Sequence, residues 1–209
     1  MITIVSDSNL IGGLREEFVR ILVESFPPAE RDEPEQVVTN ISENLRQCYL
    51  ALDDDALVGF AVLLPLDDVD VILLEYLAVS RDRRSSGIGG QVFEAVFEAM
   101  GHTAQPPRGL VLEAETPEGA EDAVLAQRRI AFYQRHGVVV VPGARGYRAP
   151  STVGPELLSY TLMWRPMQAG EDLAGEFLSR CIRAILIQDY ELADDDPLVA
   201  IILDGLKPS

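Results

Sequence analysis

The hydrophobic positions of the chain recur at two spacings, and together they predict alternating helices and strands. Apolar residues three and four positions apart, which share one face of a helix, mark the segment 10–26. Short apolar runs bounded by Gly, Pro or Asp are typical of strands, and the acidic turn 53–55 predicts a hairpin. The predicted strands are residues 2–5, 48–52, 56–64, 71–79, 109–115, 138–141 and 157–164. The predicted helices are residues 10–26, a helix from Pro34 with an apolar face reaching Leu45, residues 91–100, and a helix from about Glu118 to Arg135.

These elements follow one another in a defined order along the chain. A strand and two helices come first, then three strands, a helix, a strand, a helix and a strand. A loop rich in Gly and Pro at 142–155 precedes the last strand. This order predicts a fold of the mixed α/β (α+β) class.

The pattern changes after Pro166. Residues 173–186 predict a helix that is apolar on more than one face, and Pro197 introduces a second short helix at 198–206. We expect a main domain over residues 1–167 and a C-terminal helical extension over 168–209. The extension is expected to pack on the domain or to form a dimer contact rather than a lid, because no residue in it suggests chemistry.

Composition and charge exclude several classes of protein. The chain has 209 residues and a formal net charge of −17, which disfavours nucleic acid as a partner. No segment approaches the roughly 20 apolar residues of a membrane span, and the start lacks the features of a signal peptide. Two cysteines, Cys48 and Cys181, make no disulfide framework. We therefore expect a cytoplasmic protein that does not associate with membranes.

A glycine-rich turn, Arg84 to Gly90, separates the strand 71–79 from the helix 91–100. A turn of this kind at the start of a helix exposes backbone N–H groups that bind phosphate. It is not a Walker loop, because the only lysine is Lys207, and Val92 breaks the dinucleotide fingerprint. Ser85 or Ser86 is expected to cap the helix that follows.

Two motifs in this part of the chain resemble those of the GNAT superfamily, the acyl-CoA-dependent N-acyltransferases. The first is Arg-x-x-Gly-x-Gly, filled by Arg84, Gly87 and Gly89, with Leu77-Ala-Val79 upstream. The second is the helix end Ala131-Phe-Tyr-Gln-Arg-His-Gly137, which leads into a strand. The motifs occur in the family's order, and the resemblance covers roughly residues 1–167.

This resemblance implies a fold and a cofactor site. The fold is a central mixed, mostly antiparallel sheet flanked by helices. The pantetheine arm of acetyl-CoA is expected beside the strand that ends at Val79, and its pyrophosphate on the glycine turn. Glycines are expected in the turn because side chains would obstruct the phosphates. The implied cofactor-binding residues are Leu77, Ala78, Val79, Arg84, Ser85, Ser86, Gly87, Ile88, Gly89 and Gly90.

Acylation of an amine needs a base for the amine and an acid for the departing thiolate. The resemblance assigns the acid to Tyr133. Glu113 and Glu75 are the two leading candidates for the base, followed by Glu115. Glu75 interrupts an apolar strand, where a carboxylate needs a partner, a wet cleft or a raised pKa. Deprotonation through water or by the substrate, without a dedicated base, is also open.

The predicted function is transfer of an acetyl group from acetyl-CoA to a primary amine of a small molecule or an exposed peptide. The transfer is expected to be direct, within a ternary complex and without a metal. The alternative is a GNAT-fold protein that binds acyl-CoA without turnover, as a sensor or structural subunit. A longer acyl group and a homodimer are further possibilities. The acceptor is open: Arg145, Tyr147 and Arg148 either contact an acidic group on it or cover a strand edge.

Overall fold

The computed structural model describes residues 2–6, 10, 12–118 and 120–206. Within these ranges the chain forms two compact units. The first unit comprises residues 1–65 and 74–106, and the second comprises residues 66–73 and 107–209. Strand β4 (Val71–Val79) therefore contributes to both units.

The first unit contains the N-terminal helices and the predicted hairpin. Besides its part of β4, its elements are β1 (Ile2–Ser6), α1 (Gly12–Ser25), α2 (Pro34–Ser42), β2 (Gln47–Asp53), β3 (Ala56–Leu66) and α3 (Ile88–Gly101). The second unit contains β5 (Gly109–Glu115), α4 (Ala123–Arg135), β6 (Val139–Val140), β7 (Arg148–Pro150), β8 (Leu157–Pro166), α5 (Gly175–Gln188) and α6 (Pro197–Asp204). Short 3₁₀ turns lie at Pro28–Glu30, Asp67–Val69, Arg81–Arg83 and Pro142–Ala144.

The strands form a mixed, mostly antiparallel sheet flanked by helices, as predicted. The described strands follow the order β1-β2-β3-β4-β5-β8-β6, and β7 pairs with β8. The acidic hairpin is confirmed, since β2 and β3 pair antiparallel with Asp53 opposite Ala56. Within the described ranges, no helix is long and apolar enough to cross a membrane.

The core of the first unit explains why α1 forms where it does. Phe18, Ile21 and Leu22 lie on one face of α1 and are fully buried. The ring of Phe18 packs 4.2 Å from that of Phe60 on β3, measured between centroids. Burying each such side chain contributes about 1.5–3 kcal/mol, and a Phe18→Ala change would cost about 3–5 kcal/mol. The helical spacing of apolar residues in the segment 10–26 also predicts Ile11 on this face, but Ile11 lies outside the described residues.

Two predicted boundaries are wrong for reasons visible in the backbone. Helix α2 ends at Ser42, and Leu45 is exposed instead of extending the apolar face. Asn44 adopts a left-handed φ of 60°, and the N–H groups of Leu45 and Arg46 both donate to the carbonyl of Asn40, which closes the helix end. The predicted loop 142–155 also contains a strand, β7, in which the buried Ala149 pairs with Leu158.

The C-terminal helices pack within the second unit. The Trp164 indole N–H donates to the carbonyl of Glu171 at 2.8 Å. The guanidinium of Arg108 pairs with the Glu171 carboxylate at 2.5 Å and stacks 3.5 Å from the ring centroid of Phe177. These contacts join the segment after Pro166 and helix α5 to β8 and to Arg108 within the second unit. The boundary at residue 167, packing of the extension on the domain and the dimer contact stay predictions.

Candidate functional site

The glycine turn of the first unit exposes the N-terminus of α3. Ser85 and Gly87 adopt left-handed φ angles of 63° and 84°, and α3 begins at Ile88. The first helical bond runs from Gln91 N–H to the Gly87 carbonyl. The amides of Ile88 to Gly90 therefore have no acceptor within the helix, and Gly87 supplies no side-chain cap. Unused amides at the positive end of a 14-residue helix form a suitable cradle for phosphate.

The predicted serine cap is wrong. The Ser86 hydroxyl donates to the Arg83 carbonyl at 2.5 Å, within the preceding turn, and the residue at the N-cap is Gly87. A Cβ built on Gly87 meets no atom within 4 Å, so its φ of +84° is what selects glycine here. The serines are therefore not competing with a ligand for the first amides of α3.

The side chain of Arg84 connects the turn to the ends of β4 and α1. Its Nε donates to the carbonyl of Val79, the last residue of β4, at 3.2 Å, and its Nη2 donates to Ser25 Oγ at 3.2 Å. Ala78 is buried and its carbonyl would lie 2.8 Å from a Cβ on Gly59, so β3 needs a glycine at this close approach. The strand end and the turn thus form one fixed substructure within the first unit.

Glu75 has a cationic partner. Its carboxylate accepts a hydrogen bond from Arg46 Nε at 2.5 Å, and the two side chains are only 5% and 10% exposed, respectively. A buried carboxylate is tolerated when a guanidinium neutralises it, and this is the first of the three solutions expected for Glu75.

Glu113 has a different environment within the second unit. The Tyr147 hydroxyl donates to its Oε1 at 2.5 Å, and the Tyr190 hydroxyl donates to its Oε2 at 2.8 Å. Burial raises the pKa of Glu113 to about 7, the nearby charge of Asp189 adds to the rise, and the two tyrosine hydrogen bonds oppose it. Glu113 therefore carries the shifted proton affinity that suits a general base at neutral pH.

Tyr133 lies in the last turn of α4, which packs against β5. Helix α4 begins at Ala123, later than the predicted start near Glu118; its N-cap is Asp122, whose carboxylate accepts a hydrogen bond from the amide of Leu125. The helix ends before Gly137, which has a φ of 75°, and this end agrees with the prediction. Burial raises the pKa of Tyr133 to about 12, with a smaller opposing effect from the charge of Arg129. The phenol therefore remains protonated and able to donate a hydrogen bond.

Glu115, the third candidate base, lies two residues from Glu113 on β5. Its carboxylate is 3.5 Å from Arg129 Nη1 on α4, so this group also has a cationic neighbour. Among the residues that the structure describes, no group of three or more His, Cys, Asp and Glu side chains is arranged to hold a metal ion.

Sequence reasoning missed two residues of the Glu113 cluster. The sequence favours either an acceptor contact or cover of a strand edge for Tyr147, but the residue is only 1% exposed and its hydroxyl donates to Glu113. Tyr190 lies in the extension, where no chemistry was expected. Its one visible signal is a tyrosine following Asp189 at the end of an apolar helix, which is too common to indicate a site.

Comparison with known proteins identifies the family. The model of the acetyltransferase (GNAT) family matches residues 15–138. No curated protein sequence matches the chain.

Solved structures resemble the chain over most of its length. A putative GNAT-family acetyltransferase from Bacteroides thetaiotaomicron is 27% identical, with a TM-score of 0.67 over 85% of this chain and 92% of that one. The ribosomal-protein-S18-alanine N-acetyltransferase from Escherichia coli is 21% identical, with a TM-score of 0.57 over 84% and 97%. An aminoglycoside 6'-N-acetyltransferase complexed with coenzyme A is 18% identical, with a TM-score of 0.61 over 81% and 99%. From the family match and these structures together, the chain belongs to the GNAT family of acetyltransferases.

Proposed function

We propose that this protein is an N-acetyltransferase that moves the acetyl group of acetyl-CoA to a primary amine by direct transfer in a ternary complex. The observation that carries the proposal is the uncapped N-terminus of α3 at Gly87, inside a chain that matches the GNAT family. The fold relatives include an N-acetyltransferase of a protein alanine and one of an aminoglycoside complexed with coenzyme A. The acceptor is accordingly a small-molecule amine or an exposed peptide amine.

The residues of the first unit fit a pyrophosphate-bearing cofactor. The amides of Ile88, Gly89 and Gly90 would hold the phosphates, and the open space at Gly87 leaves room for them. Leu77, Ala78 and Val79 on β4 would bind the pantetheine arm through their main chain. Bound acetyl-CoA supplies the acetyl group as a thioester. The local amides matter because the net charge of −17 would otherwise repel the cofactor.

Glu113 is assigned as the general base. An alkyl ammonium has a reference pKa near 10.4, so it must lose a proton before it attacks. A carboxylate with a pKa of about 7 is half ionised at neutral pH and is a far better acceptor than an ordinary glutamate. Glu75 is assigned a structural role, because Arg46 already neutralises it. The proton leaves the amine nitrogen for a carboxylate oxygen of Glu113.

Tyr133 is assigned to the departing sulfur. With a pKa of about 12 it is a weaker acid than a thiol, whose reference pKa is about 8.5. We therefore assign it to hydrogen bonding that stabilises the thiolate, rather than to complete proton transfer. Neither cysteine is placed as a nucleophile: Cys48 and Cys181 are both buried, which agrees with direct transfer.

Location and assembly complete the proposal. Two buried thiols outside any disulfide fit the reducing cytoplasm. The negative surface favours a cationic acceptor. A homodimer stays a prediction that light scattering would test.

The test is thiol release from acetyl-CoA with a panel of amines. Wild type should release thiol with at least one amine. Glu113→Gln should lower kcat/KM by about 10²–10⁴-fold, and Tyr133→Phe should lower kcat with little change in cofactor affinity. The matched control is Tyr49→Phe, which removes a phenol from β2 in the first unit and should leave turnover unchanged. Cofactor binding without thiol release for any amine would overturn the enzyme and favour the acyl-CoA-binding alternative.

A further inference from the structure

The segment that follows α5 has a fixed conformation. The amides of Asp189 and Tyr190 both donate to the Ile185 carbonyl, at 2.9 and 3.3 Å, and the amide of Leu192 donates to the Leu186 carbonyl at 3.1 Å. These bonds close the end of the helix, and they hold Tyr190 where its hydroxyl reaches Glu113 Oε2. The contact is therefore part of the fold of the extension.

Two tyrosines donate hydrogen bonds to different oxygens of the Glu113 carboxylate. Each oxygen accepts one phenol, Oε1 from Tyr147 and Oε2 from Tyr190. A carboxylate has about four acceptor positions, so two remain for an incoming N–H group. Two donors on different oxygens also fix the plane of the carboxylate and its rotamer.

We propose that Tyr190 is a positioning residue for Glu113: the C-terminal extension supplies a hydroxyl that fixes the carboxylate assigned to receive the amine proton. This inference rests on the proposed function. It assigns the extension a role in the reaction beyond packing.

Attachment of the extension does not depend on the Tyr190 hydroxyl. Arg180 on α5 donates to the Asp68 carbonyl at 2.8 Å, and Gln188 donates to the Asp68 carboxylate at 3.2 Å. Arg108 holds both Glu171 and Phe177. A phenol that served only to fill space would be replaced by phenylalanine without loss, whereas a positioning residue needs its hydroxyl.

The groups that face Glu113 act on its proton affinity in opposite directions. Tyr147 and Tyr190 donate to the ionised carboxylate and lower its pKa, whereas the charge of Asp189 raises it. Buried Cys181 on α5 also interacts with Glu113, and burial raises the pKa of its thiol to about 12, so it stays neutral. The register partner on β8 is the apolar Leu162, and the part of β4 in this unit, residues 71–73, is apolar.

The experiment compares pH profiles of kcat/KM for wild type, Tyr190→Phe and Asp189→Asn, with Tyr49→Phe as the matched control. Loss of the Tyr190 hydroxyl should raise the acidic limb of the profile by about one pH unit. At about pH 7 the ionised fraction of Glu113 then falls from about a half to about a tenth, which lowers kcat/KM about fivefold. Asp189→Asn should move the same limb to lower pH.

Cofactor affinity and thermal unfolding are measured for each variant to separate the possible failures. The inference is supported if Tyr190→Phe moves the acidic limb to higher pH, Asp189→Asn moves it to lower pH, and cofactor affinity stays unchanged. A limb that stays in place in Tyr190→Phe, or a loss of activity equal at all pH values, overturns it in favour of packing alone. If Glu113→Gln keeps full activity, the assigned base fails, and the role of Tyr190 fails with it even though cofactor binding persists.

Discussion

Replacing Glu113 with glutamine should destroy activity and yet stabilise the folded protein at alkaline pH. The reason is that the folded protein holds an ionisable carboxylate in a site where burial opposes its charge. Its pKa is about 7 when folded, compared with an ordinary value of 4.5. Glutamine has nearly the same shape, carries no charge at any pH, and can still accept a hydrogen bond from a tyrosine.

The size of the effect follows from proton linkage. Because the folded pKa is raised, the folded state binds more protons than the unfolded state between about pH 4.5 and 7. The stability contributed by protonated Glu113 is present below pH 4.5 and is lost as the pH rises through 7. At about 1.36 kcal/mol per pH unit, this window corresponds to about 3 kcal/mol. For a chain of this size that is about 6–12 °C in Tm.

The assay is urea unfolding of wild type and Glu113→Gln, each at about pH 5 and about pH 8.5. The difference between the two proteins cancels the titration of all other groups, provided the substitution leaves them unchanged. From the lower to the higher pH, the unfolding free energy of Glu113→Gln should increase relative to that of wild type by about 3 kcal/mol. If the difference in unfolding free energy is the same at both pH values, the pKa of Glu113 is not raised in the folded protein, and Glu113 is not suited to act as a base at neutral pH.

Two further predictions concern the first unit. Gly87→Ala should cost about 1–2 kcal/mol of stability, because alanine disfavours a φ of +84°, and should weaken acetyl-CoA binding in calorimetry. Gly170→Ala, at a φ of +88° and also with nothing within 4 Å of its Cβ, should cost a similar amount and leave binding unchanged; equal binding by both variants would remove the turn from the cofactor site. Arg46→Met should cost about 3–5 kcal/mol in urea unfolding, because it deprives buried Glu75 of its guanidinium. The double variant Arg46→Met/Glu75→Gln should recover most of the lost unfolding free energy and keep turnover. An inactive double variant would indicate that Glu75 acts as a base.

The sequence predicted the elements well where one physical signal dominates. Phe18, Ile21 and Leu22 have helical spacing because one face of α1 is buried. The hairpin 47–66 consists of two apolar strands joined by an acidic turn, and both features are visible in the sequence. The glycine turn was also readable, because only a few residue types tolerate a left-handed backbone before a helix. Errors occurred where hydrogen bonds made by the backbone decide, as at Asn44, where the helix closes before Leu45.

The candidate site was less readable because its partners are distant in sequence. Glu113 and Tyr147 are separated by 34 residues and Glu113 and Tyr190 by 77, and no periodicity links such positions. The sequence ranks Glu75 and Glu113 together as candidate bases, the first inside an apolar strand and the second at the end of the apolar run 110–112. Only the three-dimensional neighbours distinguish them: a guanidinium beside Glu75 and two phenols beside Glu113.

Calorimetric titration of acetyl-CoA into wild type and Gly89→Trp tests whether the glycine turn before α3 holds the cofactor. Gly101→Trp, at the exposed far end of the same helix, is the matched control. We predict micromolar-range binding, about −8 kcal/mol, for wild type and the control, and its loss in Gly89→Trp, because an indole in the first turn of α3 would cover the phosphate-binding amides. Absence of binding by wild type, or equal binding by all three proteins, would contradict an acetyltransferase whose cofactor site is this turn.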